Sequence, residues 1–231
     1  MIDALPIDNT AIFSIDRKLD RIRRLPNYDI IRAWERVKFI VVGVGGLGFH
    51  ISKSIAQTLP FGILHIVDRE RLEDVNLNRF DVDPTYVGLP KVDVVKDVIS
   101  ALNPQINIFT YHTDIKTDMT LIQNGDMKTV VIDEVDNASL STMIYDRAKE
   151  QGIPYLSMKY NGFDRGTLYV NSIGIEVGGT DPYAVEPSSY FAAAVFGNLF
   201  TYYLFTHTFE EVQNTKMIRN ISLRDISVSY T

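Results

Sequence analysis

The stretch from Val37 to Asp68, VKFIVVGVGGLGFHISKSIAQTLPFGILHIVD, decides the fold. Val37 to Val42 is a short run rich in β-branched residues, which suit extended backbone. GVGGLG follows at once, and from Phe49 to Leu59 the residues Ile51, Ile55 and Leu59 recur at helical spacing. Ile63 to Val67 is a second apolar strand, ended by the charged Asp68, Arg69 and Glu70. Strand, glycine turn, helix and strand in that order form a βαβ unit with parallel strands.

The alternation continues downstream. Lys91 to Leu102 places Val92, Val95, Val98, Ile99 and Leu102 on one helical face, and Asn103-Pro104 stops it. Ile106 to Tyr111 is the third strand, Met119 to Gln123 a short helix, and Val130 to Ile132 with its flanks the fourth strand. Ala138 to Glu150 reads as a helix, with Asn137 as candidate N-cap and Gly152 as candidate C′ residue. Two strands follow, Pro154 to Tyr160 and Thr167 to Ser172. A Gly/Pro-containing loop from Gly174 to Pro187 is the candidate mobile crossover. An apolar helix from Ser188 and a last strand from Ile221 to Val228 close the chain. In that strand Ile221 and Leu223 alternate, then Ile226 and Val228 resume one residue out of phase, as a bulge allows. The predicted fold class is α/β: a doubly wound, mostly parallel Rossmann-like sheet with antiparallel C-terminal strands. Residues 1–36, with Arg17, Lys18, Arg21, Arg23 and Arg24 before Pro26, read as an N-terminal helical extension. Residues 37–231 read as one nucleotide-binding domain.

Composition sets outer bounds. With 231 residues, 45% hydrophobic and 23% charged, the chain is expected to bury a real core and is neither disordered, collagen-like nor membrane-spanning. The net charge of −6 gives no general electrostatic reason to coat nucleic acid, which is not an expected partner. The absence of cysteine excludes disulfides, thiolate zinc sites and a cysteine nucleophile. The N-terminus shows no basic segment followed by an apolar one, so a cytoplasmic location is expected. Tyr190 to Phe205 is apolar but falls short of the roughly 20 residues a bilayer span needs, and is expected to be a buried helix.

Three constellations carry chemistry. Gly43, Gly45 and Gly48 form GxGxxG, which permits a tight turn and lets bare N–H groups approach phosphate at the positive end of a helix. Asp68 stands at the end of the next strand, where a carboxylate accepts hydrogen bonds from ribose hydroxyls. Asp74-Val75-Asn76-Leu77-Asn78-Arg79 and Gly88-Leu89-Pro90-Lys91 come next. A dehydrogenase has no need of Arg79 and Lys91 there, whereas a triphosphate does, because both cations neutralise phosphate oxygens and the charge that develops as pyrophosphate leaves. Asp133 and Asp136, in VVIDEVDN, follow the fourth strand and offer the hard oxygens that Mg²⁺ takes. Asn137 fits a helix cap. The four histidines are scattered and read as structural or surface residues, with His50 beside the glycine turn the one of interest.

GVGGLG, Asp68, the NLNR block, GLPK and the VDN triplet occur in the order and approximate spacing of the ThiF/MoeB/HesA family, and the sequence resembles the adenylating fold of ubiquitin-activating enzymes over roughly Val37 to Ser172. Members use ATP and Mg²⁺ to adenylate the C-terminal glycine carboxylate of a ubiquitin-like or sulfur-carrier protein, usually as dimers. The resemblance implies that Gly45 and Gly46 lie against the nucleotide, that Asp68 holds the ribose, and that Asn76, Arg79 and, within the same block, Asn78 belong to the phosphate site. It further implies that Lys91 stabilises the transition state and that Asp136 holds Mg²⁺. An arginine from the N-terminal segment of the partner subunit completes the family's site, and Arg21 is the nearest candidate. The chain departs from the family pattern at Phe80, where glutamine is usual, and in lacking the cysteine that many relatives use to take over the acyl group.

The expected activity is therefore ATP-dependent adenylylation of the C-terminal carboxylate of a small protein or peptide, stopping at the acyl adenylate or passing the acyl group to another molecule. A carboxylate is already a nucleophile at neutral pH, so the reaction needs cations and positioning rather than a base. Alternative expectations are a carboxylate on tRNA or a ribosomal peptide, a non-catalytic nucleotide-binding subunit, and a nicotinamide oxidoreductase. A homodimer is expected, with part of the Ser188–Phe205 helix or the neighbouring sheet edge at the interface.

Overall fold

The computed structural model describes residues 14–174 and 189–225. All but the first residue of the expected crossover loop lies outside them, as do Ile226 and Val228. In chain order the elements are α1 (Ile15–Leu19), α2 (Tyr28–Ala33), β1 (Lys38–Val42), α3 (Gly46–Thr58), β2 (Gly62–Asp68), α4 (Lys91–Leu102), β3 (Ile106–His112), β4 (Thr129–Asp133), α5 (Ala138–Glu150), β5 (Tyr155–Tyr160), β6 (Arg165–Val170), α6 (Tyr190–Thr206), α7 (Phe209–Asn214) and β7 (Met217–Ser222).

The strands form one sheet in the order β3-β2-β1-β4-β5-β6-β7. Pairing is parallel from β3 to β5 and antiparallel at β5–β6 and β6–β7, as the sequence predicts. In β1, Phe39 and Val41 enter one core with Phe49, Ile51, Ile55, Val92, Val95 and Phe196, so α3, α4 and α6 cover that face. Ile40 and Val42 point the other way, into a core with Val131, Ile144, Ala148 and Tyr155 under α5. Burial on both faces explains why β1 reads as a continuous apolar run.

Local chemistry sets the ends of these elements. Asn137 Oδ1 accepts the Leu140 N–H at 2.8 Å and caps α5. Gly152, at φ +64°, follows the C-cap residue of the same helix. At the glycine turn, Gly43 has φ +84°, and a Cβ on Gly48 would stand 2.0 Å from the Gly43 carbonyl oxygen. No side chain fits that crossing. Gly197 serves the α3–α6 contact in the same way, since a Cβ there would lie 2.8 Å from His50 Cβ. The N-terminal segment docks through Trp34, which is fully buried, stacks on Phe39 and donates from Nε1 to the His207 carbonyl at 3.0 Å.

The C-terminal region departs from the sequence reading. Among the described residues its last strand is β7, Met217–Ser222, which starts before the expected Ile221 and stops at Ser222, and it pairs from Val170↔Met217 to Arg165↔Ser222. Asn161 Oδ1 accepts the N–H groups of Phe163, Asp164 and Arg165, turning the chain just before β6, so the ladder runs out there. Leu223 N–H still reaches the Asp164 carbonyl at 2.8 Å, and Leu223–Asp225 then forms a 3₁₀ turn in place of the expected bulge. β6 itself begins two residues earlier than predicted. Helix α7 was not predicted from apolar periodicity, yet Thr208 and Glu211 form its capping box. The short helix expected at Met119 to Gln123 is a 3₁₀ turn, Met119–Leu121.

Gly48→Ala is expected to lower unfolding free energy by about 3 kcal/mol, because backbone atoms must part to admit the methyl group. Gly45→Ala, whose Cβ meets nothing within 4 Å among the described residues, should change it by less than about 0.5 kcal/mol. Denaturant unfolding of the two variants checks the contrast.

Candidate active site

Three segments meet at the carboxyl ends of β1, β2 and β4, on either side of the point where strand order reverses. Such a crevice is where doubly wound sheets bind ligands. The first segment is the glycine turn. Gly45 is the N-cap residue of α3 and no side chain caps the helix. Its first-turn N–H groups therefore lack intrahelical partners and carry the positive end of the helix dipole. Asp68, at the end of β2, accepts the Val44 N–H at Oδ2 (2.8 Å) and the Glu70 N–H at Oδ1 (2.7 Å). Burial pushes its carboxyl pKa up, while those two hydrogen bonds and the Lys91 charge oppose the rise.

The second segment runs from Asp68 into α4. The Arg79 side chain crosses the turn: a Cβ on Gly46 would be 3.0 Å from Arg79 Cδ. One guanidinium nitrogen donates to Asn78 Oδ1 at 3.0 Å and to the Val75 carbonyl at 3.2 Å. His50 Nε2 sits 3.2 Å from the Arg79 carbonyl, and burial lowers the imidazole pKa. Lys91 opens α4 and is only 4% exposed. Its ammonium meets Glu70 Oε2 at 2.5 Å, and the hydrogen bond from Lys91 holds the Glu70 carboxyl below its ordinary value.

The third segment is the β4–α5 loop. It leans on the glycine turn, since a Cβ on Gly43 would lie 2.9 Å from the Glu134 carbonyl. Asp133 is buried, accepting from Tyr155 Oη at 2.7 Å and from the Val135 N–H at 3.0 Å. Glu134 Oε1 accepts the Met158 N–H at 3.0 Å, and its Oε2 is buried without a partner among the described residues. Asp136 is exposed, and its carboxylate makes no hydrogen bond or ion pair with the described residues.

Residues 16–182 match the ThiF family. The chain belongs to that family. It is 34% identical over 116 residues to an adenylyltransferase and sulfurtransferase, MOCS3, of Culex quinquefasciatus, covering 48% of this chain and 25% of that protein. It is 31% identical over 124 residues to ubiquitin-like modifier-activating enzyme 5 of Caenorhabditis briggsae, covering 50% and 28%. The chain thus matches about a quarter of the length of these curated relatives. Among solved structures, PaaA superposes with a TM-score of 0.67 at 18% identity, covering 94% of this chain and 75% of that one. MccB of E. coli with ATP also superposes with a TM-score of 0.67, at 14% identity and coverages of 93% and 72%. At such identities these two establish a shared fold.

Within this ThiF-family fold the structure sorts the expected site residues. It brings Gly43, Gly45, Gly46, Gly48, Asp68, Arg79 and Lys91 around one turn, and sets the Asp136 loop against Gly43. Asn78 orients Arg79. Asn76 is buried and its Oδ1 accepts the Glu73 N–H at 3.1 Å, so its side-chain oxygen closes a 3₁₀ turn. Phe80 packs on Phe49, with ring centroids 4.8 Å apart, rather than pointing to solvent. Arg21 lies elsewhere. Its neighbour Lys18 donates to the Ala56 carbonyl near the far end of α3, ten residues beyond Gly46 and hence roughly 15 Å along the helix.

Sequence reading overlooked Glu70, the counter-charge of Lys91, and the pair Glu134 and Lys159. A lysine inside the strand PYLSMKY was the available signal, because a charge in a buried strand is retained where it has work to do. Magnesium fits the donor set only in part: Asp136 offers a free carboxylate, and among the described residues no group of three His, Cys, Asp or Glu is placed to hold a metal. Mg²⁺ commonly takes one or two carboxylates and completes its shell with phosphate oxygens and water.

Burial, opposed by the Lys159 charge and the Met158 N–H, pushes the Glu134 carboxyl from 4.5 up to about 8. The unfolded chain sheds this proton near the ordinary value and the folded chain only near 8, so stability falls as pH rises through that window and levels off on either side. Glu134→Gln removes the slope. Thermal unfolding in magnesium-free buffer should show the variant gaining on the wild type as pH rises, and a constant difference at all pH values would contradict it.

Proposed function

We propose that this chain is an ATP-dependent adenylyltransferase that activates the C-terminal carboxylate of a ubiquitin-like or sulfur-carrier protein, or of a peptide, without a catalytic cysteine. The observation that carries this reading is the placement of Arg79 across Gly46, with Lys91 held through Glu70 beside Asp68. Two cations at the positive end of α3 suit a polyphosphate that loses pyrophosphate, and a hydride-transfer site has no use for them. The names of the relatives, an adenylyltransferase and a ubiquitin-like modifier-activating enzyme, support the same class, and MccB has been solved with ATP.

In this reading Asp68 faces the ribose, and the first-turn amides of α3 receive phosphate oxygens. Arg79, fixed by Asn78 and Val75, neutralises charge on the leaving pyrophosphate. Lys91, released from Glu70 or shared with it, does the same at the α-phosphate. Asp136 would supply the carboxylate for Mg²⁺, which screens phosphate charge when bound. Activation needs no base, since the attacking carboxylate is ionised at neutral pH. Arg21 follows α1, whose Lys18 docks on the Ala56 carbonyl near the far end of α3, so it would act in a neighbouring copy of a homodimer. Tyr190, Phe191 and Tyr202, exposed on α6, would form part of that interface. No described helix is long and apolar enough to cross a membrane, and the proposed setting is the cytoplasm.

Exchange of radiolabelled pyrophosphate into ATP, stimulated by a small protein or peptide ending in Gly-Gly, tests the reading. Arg79→Ala and Lys91→Ala should each slow exchange about a hundredfold, while both variants keep the wild-type fold by circular dichroism. Binding of NAD in preference to ATP by calorimetry would overturn it.

A further inference from the structure

Lys159, the next-to-last residue of β5, rises beyond the end of β4 beside the loop that carries Asp136. Its Nζ donates to the Val135 carbonyl at 2.5 Å and the Asp133 carbonyl at 3.5 Å, and among the described residues it forms no ion pair within 4.0 Å. An ammonium has three donors, and the two loop carbonyls leave one of them for a ligand. Next to it lies the Glu134 carboxyl, whose Oε2 has no hydrogen-bond partner among the described residues. Neither group is engaged by the phosphate chemistry assigned above.

Sheet order says which ligand this is. Asp68, Arg79 and Lys91 come from β2 and the segment after it, on one flank of β1, whereas Lys159 comes from β5 on the opposite flank. In phosphoryl-type transfers the attacking and leaving oxygens lie roughly in line across phosphorus. With the cations for pyrophosphate on the β2 flank, the attacking group arrives from the β4–β5 flank. We propose that Lys159 receives the ionised carboxylate of the acyl substrate, so that the substrate is a chain end presented across β4 and β5 with its terminal carboxylate unblocked. One carboxylate oxygen forms the bond to the α-phosphorus, the bond from that phosphorus to the bridging oxygen breaks, and pyrophosphate leaves with the electron pair. No proton is taken up. This inference rests on the adenylating reading and adds the place and charge state of its second substrate.

The oxyanion on Lys159 has two possible sources, the substrate carboxylate or a nucleotide phosphate, and one calorimetric experiment separates them. The probes are the α,β-methylene analogue of ATP with Mg²⁺, followed by a short peptide ending in Gly-Gly as its free acid and as its C-terminal amide. The free acid should bind the loaded wild type at least about tenfold more tightly than the amide. Lys159→Gln, which keeps a donor for the loop carbonyls, should abolish that preference with nucleotide affinity unchanged, and Lys159→Arg should retain it. Loss of nucleotide affinity in Lys159→Gln would assign the cation to phosphate and overturn the proposal, as would equal binding of acid and amide or no binding of the acid at millimolar concentration. Failure of the wild type to bind the nucleotide analogue would instead overturn the adenylating reading on which the inference rests.

Discussion

The rest of the structure depends on the close crossing of the chain at Gly43 and Gly48. With the Gly43 carbonyl 2.0 Å from where a Gly48 Cβ would be, β1 passes into α3 with no side chain between them. The helix therefore begins at the level of the strand ends, and its uncapped N–H groups face the crevice instead of solvent beyond it. The same closeness lets Asp68 reach the Val44 N–H from the neighbouring strand, and lets the β4–α5 loop rest on Gly43. Two strands and a helix are thereby registered to within a hydrogen bond around one empty turn. A larger residue at either glycine would part all three at once.

Around that turn the cations are held by different means, which follow from burial. Lys91 is almost fully enclosed, and an enclosed ammonium demands a counter-charge, which Glu70 provides. Arg79 lies flatter and more exposed, and neutral partners suffice: the Asn78 amide, the Val75 carbonyl and, behind it, His50 on the Arg79 backbone. Arginine with a planar guanidinium keeps donors to spare after such bracing, which lysine would not. In the proposed reaction this arrangement would orient positive charge before the nucleotide arrives, the condition under which electrostatic stabilisation acts most strongly.

Much of this was legible in the residues because local and tertiary demands agreed. The β-branched run before the glycines, the Asn103-Pro104 stop and the Asn137 cap each had one physical solution, and α4 and α5 have the predicted bounds. Where the reading failed, a distant partner decided the outcome. Ile221 and Leu223 alternate as a strand does, yet β7 ends at Ser222 because β6 has no residues left to pair with it. In the block that carries Arg79, Asn76 Oδ1 closes its own 3₁₀ turn and Phe80, at the position where glutamine is usual, packs inward on Phe49. The environment of Glu134 was invisible for the same reason, since it is made by Met158 and Lys159 from the next strand.

The switch from parallel to antiparallel pairing after β5 is what gives the crevice two unlike flanks. Parallel strands need a covering crossover between them, so the ends of β1 and β2 are walled by α3, α4 and the segments leading into them. At β5 the chain instead turns back through Asn161 and Gly162, the latter at φ +81°, into β6. No helix has to pass over that edge of the crevice. The final residues of β5, Lys159 and Tyr160, therefore reach past β4 alongside β6, with the β4–α5 loop, the Asp164 turn and α6 beside them among the described residues, and Ser189 Oγ donates to the Gly162 carbonyl at 3.0 Å. The walled flank suits a compact ligand bound by many short-range contacts. The hairpin flank, formed by β5 and β6 without an intervening helix, is where the proposed chain end would lie beside Lys159.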